Sequence, residues 1–155
     1  MIRSAGLLLH RREGGVLEVL VAHMGGPFWG RKDEAAWSIP KGEFDAATEQ
    51  AVDAAVREFH EELGVDPPVG PYVELGTWAY SSGKQVTVFA ADGAGFTASG
   101  FVFGTFELEW PPRSGRRTEF PEVDRAEWMP VDAARPRLVK GQRPALDALQ
   151  AAVGR

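Results

Sequence analysis

Three glutamates, Glu58, Glu61 and Glu62, stand close together in a stretch that reads as a helix ending before Gly64. On a helix, positions i, i+3 and i+4 share one face within a single turn, so three carboxylates converge. Like charges at these spacings repel by about 0.2–0.5 kcal/mol per pair. Glu61 and Glu62 also occupy the last turn, where the helix dipole is negative and favours cations. A bound divalent cation removes both penalties. A solvated acidic face is the alternative, and helix arithmetic alone does not choose between them. Cys is absent, and His10, His23 and His60 are the only imidazoles. Thiolate nucleophiles, iron–sulfur clusters and cysteine-containing zinc sites are therefore excluded, and a metal here would be held by oxygen, which points to Mg²⁺ or Mn²⁺.

The helix that carries these carboxylates is predicted over Thr48–Leu63, with Thr48 as N-cap and Gly64 as stop. Val52, Ala55, Val56, Phe59 and Leu63 form its apolar stripe. Upstream, 4–9 and 17–23 read as strands joined by a turn at 12–15, and 37–39 as a short extended segment stopped by Pro40 and Gly42. Downstream, 72–80 and 85–91 read as a hairpin about Gly83. Segments 101–110 and 126–129 are predicted as strands, 111–117 as a loop, and 144–153 as a terminal helix opened by Pro144. Strands outnumber helices in mixed order, which predicts an α+β fold rather than alternating βαβ units.

The 155 residues, 44% hydrophobic and 25% charged, suit one globular domain spanning 1–155. A net charge of −5 disfavours a stable nucleic-acid partner. No apolar run approaches the ~20 residues needed to cross a bilayer, and the apolar start at 5–9 is too short for a signal peptide, so a cytoplasmic location is expected.

Arg57-Glu58-Phe59-His60-Glu61-Glu62-Leu63-Gly64-Val65 matches the pattern R-E-U-x-E-E-x-G-U, with U apolar, at every fixed position. Glu49 stands seven intervening residues before Arg57, and Gly42 opens the motif. This resembles the Nudix box, here about residues 42–65, with one extra residue in the loop between Gly42 and Glu49. The strand–loop–helix layout is also similar to the Nudix fold, an α/β/α sandwich with a mixed central sheet.

The resemblance implies a hydrolase that uses Mg²⁺ or Mn²⁺ to cleave a pyrophosphate bond in a nucleotide. Carried onto this chain, Glu58, Glu61, Glu62 and the Lys41 carbonyl would hold metal, with Glu58 and Glu61 counted among the catalytic groups. Arg57 would orient carboxylates by a salt bridge, and Glu49 would support the loop–helix junction. Many family members add a glutamate from outside the box. Glu107, Glu109, Glu119 and Glu122 are the candidates, and Glu122 is favoured by its spacing to Trp128, which is similar to that in diadenosine polyphosphate hydrolases. Trp37-Ser38-Ile39-Pro40-Lys41-Gly42 resembles the W-x-x-P-K-G entry of nucleoside- and dinucleoside-polyphosphate hydrolases, whence a phosphate role for the Lys41 side chain. Arg113, Arg116 and Arg117 could clamp a polyphosphate tail through their guanidinium forks; Lys140 and Arg143 are a weaker version of the same idea. Trp29, Trp110 and Trp128 could stack a base or fill a core. Implied substrates are a nucleoside triphosphate or a dinucleoside polyphosphate, then ADP-ribose, an RNA 5′ end or an oxidised nucleotide. A nucleotide-binding sensor is the competing class. Nudix domains can dimerise, and a homodimer is open to this chain.

Overall fold

The computed structural model describes residues 1–154. Long apolar runs, Ala5–Leu9 and Leu17–Ala22, build the first two strands, β1 (Ile2–Glu13) and β2 (Val16–Met24). They pair antiparallel from His10–Val19 to Glu13–Val16, then part. The segment 37–44 fills the opening. Its first half, β3 (Trp37–Ser38), pairs with β2, and its second half, β4 (Lys41–Phe44), pairs with the start of β1. The Leu7 N–H donates to the Pro40 carbonyl between them at 3.1 Å. This wedge fixes Lys41 and Gly42 in the middle of the sheet.

A hairpin of β5 (Val73–Ser81) and β6 (Lys84–Asp92) adds to the other side of β1, with β6 parallel to β1, so the sheet is mixed. Strand β9 (Val123–Pro130) pairs with the outer side of β2. The period-two alternation of β1 sends Ala5, Leu7 and Leu9 to one face and Leu8 to the other. On the first face lies α1 (Ala51–Leu63), burying Ala54, Ala55, Phe59 and Leu63. On the second lie α2 (Val131–Arg137) and α3 (Arg143–Val153), with Leu138, Leu146 and Leu149 fully buried. The result is the α/β/α sandwich expected.

Several elements differ from expectation. Helix α1 begins at Ala51, and Thr48 is not its cap. The Asp45 side chain accepts the Ala47 N–H at 2.9 Å, and the Asp45 carbonyl accepts the Thr48 and Glu49 N–H groups, so Thr48 is spent on a turn ahead of the helix. Ala54, not Val56, completes the buried stripe. The strand expected from Phe101 is confined to β7 (Thr105–Glu109), because residues 101–104 bond to a helix end instead. Part of the expected 111–117 loop is strand: Arg117 begins β8 (Arg117–Pro121), which pairs with β7 as a separate ribbon. Strand β4, helix α2 and a 3-10 turn at Lys140–Gln142 were not foreseen.

Candidate active site

The end of α1 organises the site. Gly64 takes a left-handed conformation, φ 73°, and its N–H donates to the His60 carbonyl at 2.7 Å. Other carbonyls at a helix end need donors from outside. Here the Val102 N–H donates to the Leu63 carbonyl at 2.9 Å, and the Gly104 N–H to the Glu62 carbonyl at 3.4 Å. The Glu122 N–H then donates to the Gly104 carbonyl at 2.8 Å. This ladder draws Glu122 to the helix. A β-carbon on Gly104 would lie a tight 3.1 Å from the Glu61 carbonyl oxygen and in contact, at 3.5 Å, with Glu122 Oε2. Gly42 on β4 is closer still to the helix: a methyl group there would overlap the Glu58 carboxylate.

Arg57 ties the acids together. Its Nε and Nη2 form a two-pronged fork on Glu49 at 2.9 and 2.8 Å. Its Nη1 donates to Glu58 at 2.9 Å and to Glu61 at 3.2 Å. The hydrogen bonds to Arg57 hold the Glu49 carboxyl below the ordinary carboxylate range, and the same bonds raise Arg57 itself. Glu58 is pushed up, first by burial and then by Glu61 and Glu122, with Arg57 opposing. Glu62 is pushed up to about 8. Burial is the main cause, Glu122 and Glu58 add to it, and the Lys41 ammonium and backbone amide oppose it. The Lys41 Nζ also lies over the Tyr80 ring, 5.4 Å from its centroid.

Glu58, Glu62 and Glu122 are therefore neighbours near the end of α1, Lys41 is close enough to act on Glu62, and Glu61 adjoins Glu58 through Arg57. Arg113, Arg116 and Arg117 do not. They lie at the far end of the β7–β8 ribbon, and the five residues from Arg117 to Glu122 span about 16 Å. Arg117 instead sits 3.6 Å from Glu107. Glu107, Glu109 and Glu119 share an exposed face of that ribbon. Trp29 and Trp128 pack against the two cores, and Trp110 packs edge-on against Phe28 and Phe120. His23 is fully buried between Asp124 and the Lys32 carbonyl, whereas His60 is exposed beside Asp66. Arg143 is turned to the Leu138 and Pro136 carbonyls, and Lys140 is exposed. Gly104 and Tyr80 reach the site without having been singled out. Gly104 is one glycine among 18, and Tyr80 is an ordinary strand aromatic, so neither carries a local signal.

The donor atoms available are carboxylate and carbonyl oxygens, the set that Mg²⁺ and Mn²⁺ prefer. Among the described residues, no three acidic or imidazole side chains gather about one point as a ready coordination shell. Arg57 holds Glu58 and Glu61 oxygens that a cation would use. The residue types fit a divalent cation.

A sequence model of the NUDIX domain matches residues 2–149. The chain belongs to the Nudix family. It is 33% identical over 147 residues to the 8-oxo-(d)GTP phosphatase of Mycolicibacterium smegmatis (strain ATCC 700084 / mc(2)155); the match covers 88% of this chain and 37% of that protein. The chain thus matches little more than a third of the length of this curated relative. Among solved structures, the C. elegans Ap4A hydrolase in a binary complex aligns with a TM-score of 0.65 at 17% identity, covering 99% of this chain and 98% of that one. The NUDIX domain of Shewanella oneidensis NrtR complexed with ADP ribose aligns at 0.64 and 14% identity, covering 99% and 88%. These two likenesses establish the shared Nudix fold. No helix among the described residues is long and apolar enough to cross a membrane.

Proposed function

We propose that this Nudix chain is a Mg²⁺- or Mn²⁺-dependent pyrophosphohydrolase acting on a nucleoside or dinucleoside polyphosphate. The observation that carries the reading is the neighbourhood of Glu58, Glu62 and Glu122 at the end of α1, where Gly42 lies against the Glu58 carboxylate and the 104–122 ladder ties Glu122 to the helix. Glu58, Glu61, Glu62 and the Lys41 carbonyl are the groups to hold the metal. When bound, the cation neutralises phosphate oxygens and makes the attacking water more acidic. Glu122, exposed and close to Glu58 and Glu62, would take the proton as water adds to phosphorus and the bridging P–O bond breaks; its nearness to both carboxylates supports that role. Glu58 and Glu61, bound to one Arg57 nitrogen, are the alternative acceptors. The Lys41 ammonium offsets phosphate charge. Arg113, Arg116 and Arg117 would touch only a substrate long enough to run along the β7–β8 ribbon.

The identity shared with the 8-oxo-(d)GTP phosphatase supports an oxidised guanine nucleotide as the first substrate to try. The test is product chromatography on 8-oxo-dGTP, common nucleoside triphosphates, diadenosine tetraphosphate, ADP-ribose and a 5′-triphosphorylated RNA, with Mg²⁺ or EDTA. Mg²⁺-dependent cleavage of one compound is expected, and Glu62→Gln should lower it at least about a hundredfold while the protein stays folded. Nucleotide binding that survives Glu62→Gln, with no cleavage of any compound, would replace the enzyme by a sensor.

A further inference from the structure

Tyr80 lies outside the Nudix box, at the end of β5, yet three contacts fix its place against Lys41. Its hydroxyl shares a 3.4 Å hydrogen bond with Oγ of Ser4, a residue 1% exposed on β1. Gly141, in the 3-10 turn, lies so close that a methyl group there would overlap the Tyr80 β-carbon. The ring face is then occupied by the Lys41 Nζ, 5.4 Å from the centroid. Lys41 is in turn the cation that opposes the upward shift of buried Glu62. Strand, turn and ring together set where one ammonium stands.

An ammonium over an aromatic face turns only part of its three N–H donors to the ring and leaves the rest free, and the contact costs no carboxylate charge. A salt bridge in the same place would cancel the charge that a phosphate needs. A free lysine would lose about 2 kcal/mol of side-chain entropy when it bound. We propose that Tyr80 is a positioning residue: with Ser4 and Gly141 behind it, it presents the Lys41 ammonium, uncancelled, to a phosphate oxygen of the ligand. This deepens the proposed function and rests on it, since it supposes a pyrophosphate-bearing ligand beside Glu62.

The test separates the two ideas by using a ligand with no base and no cleavable bond. Methylenediphosphonate with Mg²⁺ is titrated calorimetrically into the whole chain and into Tyr80→Leu, Tyr80→Phe, Lys41→Met and the Leu/Met double variant, each checked for a native melting transition. Tyr80→Leu should weaken binding about three- to tenfold, the range that a partly desolvated cation–π contact supplies. Tyr80→Phe, which keeps the ring, should stay within about twofold of the parent. The double variant should bind no worse than Lys41→Met. With a cleaved substrate in hand, the same loss should appear in KM with little change in kcat. An unchanged Tyr80→Leu, or a further loss from Tyr80→Leu in the Lys41→Met background, would overturn the proposal, the latter by showing that Tyr80 touches ligand itself. Absence of catalysis with diphosphonate binding intact would sink the enzyme reading alone. Absence of diphosphonate binding by the parent would sink both.

Discussion

Glu62 concentrates the site's electrostatic conflict in one side chain. It is largely buried, faces Glu58 and Glu122, and has Lys41 as its opposing cation. Raised to about 8, it keeps its proton in the folded state over a range where the unfolded chain has lost it. Its contribution to stability is therefore fully present below about pH 4.5 and is lost as pH rises through about 8. In EDTA, the thermal midpoint is expected to fall from pH 5.5 to pH 8.5 by about 5 °C more in the parent than in Glu62→Gln, which has no charge to desolvate. Millimolar Mg²⁺ should recover most of the difference at pH 8.5. Parallel curves for parent and variant, measured by differential scanning fluorimetry, would show that Glu62 is not the group responsible. Arg57 illustrates the same economy: one guanidinium orders Glu49, Glu58 and Glu61, so the acidic face is not simply solvated.

At the level of elements, the site is the meeting of β4 with α1, and Gly42 sets their distance. Its lack of a side chain lets the Glu58 carboxylate lie against the β4 backbone. Gly42→Ala is expected to keep the fold, because its neighbours in β4 stay paired with β1, but to displace Glu58. Turnover should fall about tenfold or more, with little loss of stability, because the atoms that must move are the flexible end of the Glu58 side chain. Steady-state kinetics beside urea denaturation separates the two effects, and unchanged kcat would remove Gly42 from the site. The extra residue between Gly42 and Glu49 is absorbed harmlessly for a related reason. Strand β4 ends at Phe44, and the Asp45 turn takes up the remaining loop before α1.

Across the whole molecule, the lysine-bearing wedge is held from the opposite layer. Gln142, 1% exposed, accepts the Ile39 N–H through Oε1 at 2.7 Å and donates through Nε2 to Ser38 Oγ at 2.9 Å. Removing the side chain orphans a buried backbone donor, which costs about 1–3 kcal/mol. Gln142→Ala is expected to lose about 2 kcal/mol in urea titration and to weaken diphosphonate binding, because the segment that slackens carries Lys41 and Gly42. Loss of stability with unaltered binding would show that the wedge is fixed from the α1 side alone.

The box helix, its glycine stop and the acidic triplet were legible in the sequence because each depends on short-range periodicity and spacing. The α+β class followed from strand count in the same way. Helix start and ribbon were misread where a local preference met a competing partner: Thr48 serves the Asp45 turn, and residues 101–104 serve the orphan carbonyls of α1. Nothing local could reveal that Tyr80 carries Lys41, that Gln142 braces Ile39, or that the arginines stand a ribbon's length from Glu122. Those facts arise from pairings between distant segments, and sequence spacing does not encode a distance that only packing creates. The sequence by itself determined which residues could do the chemistry; the tertiary structure decided which of them meet.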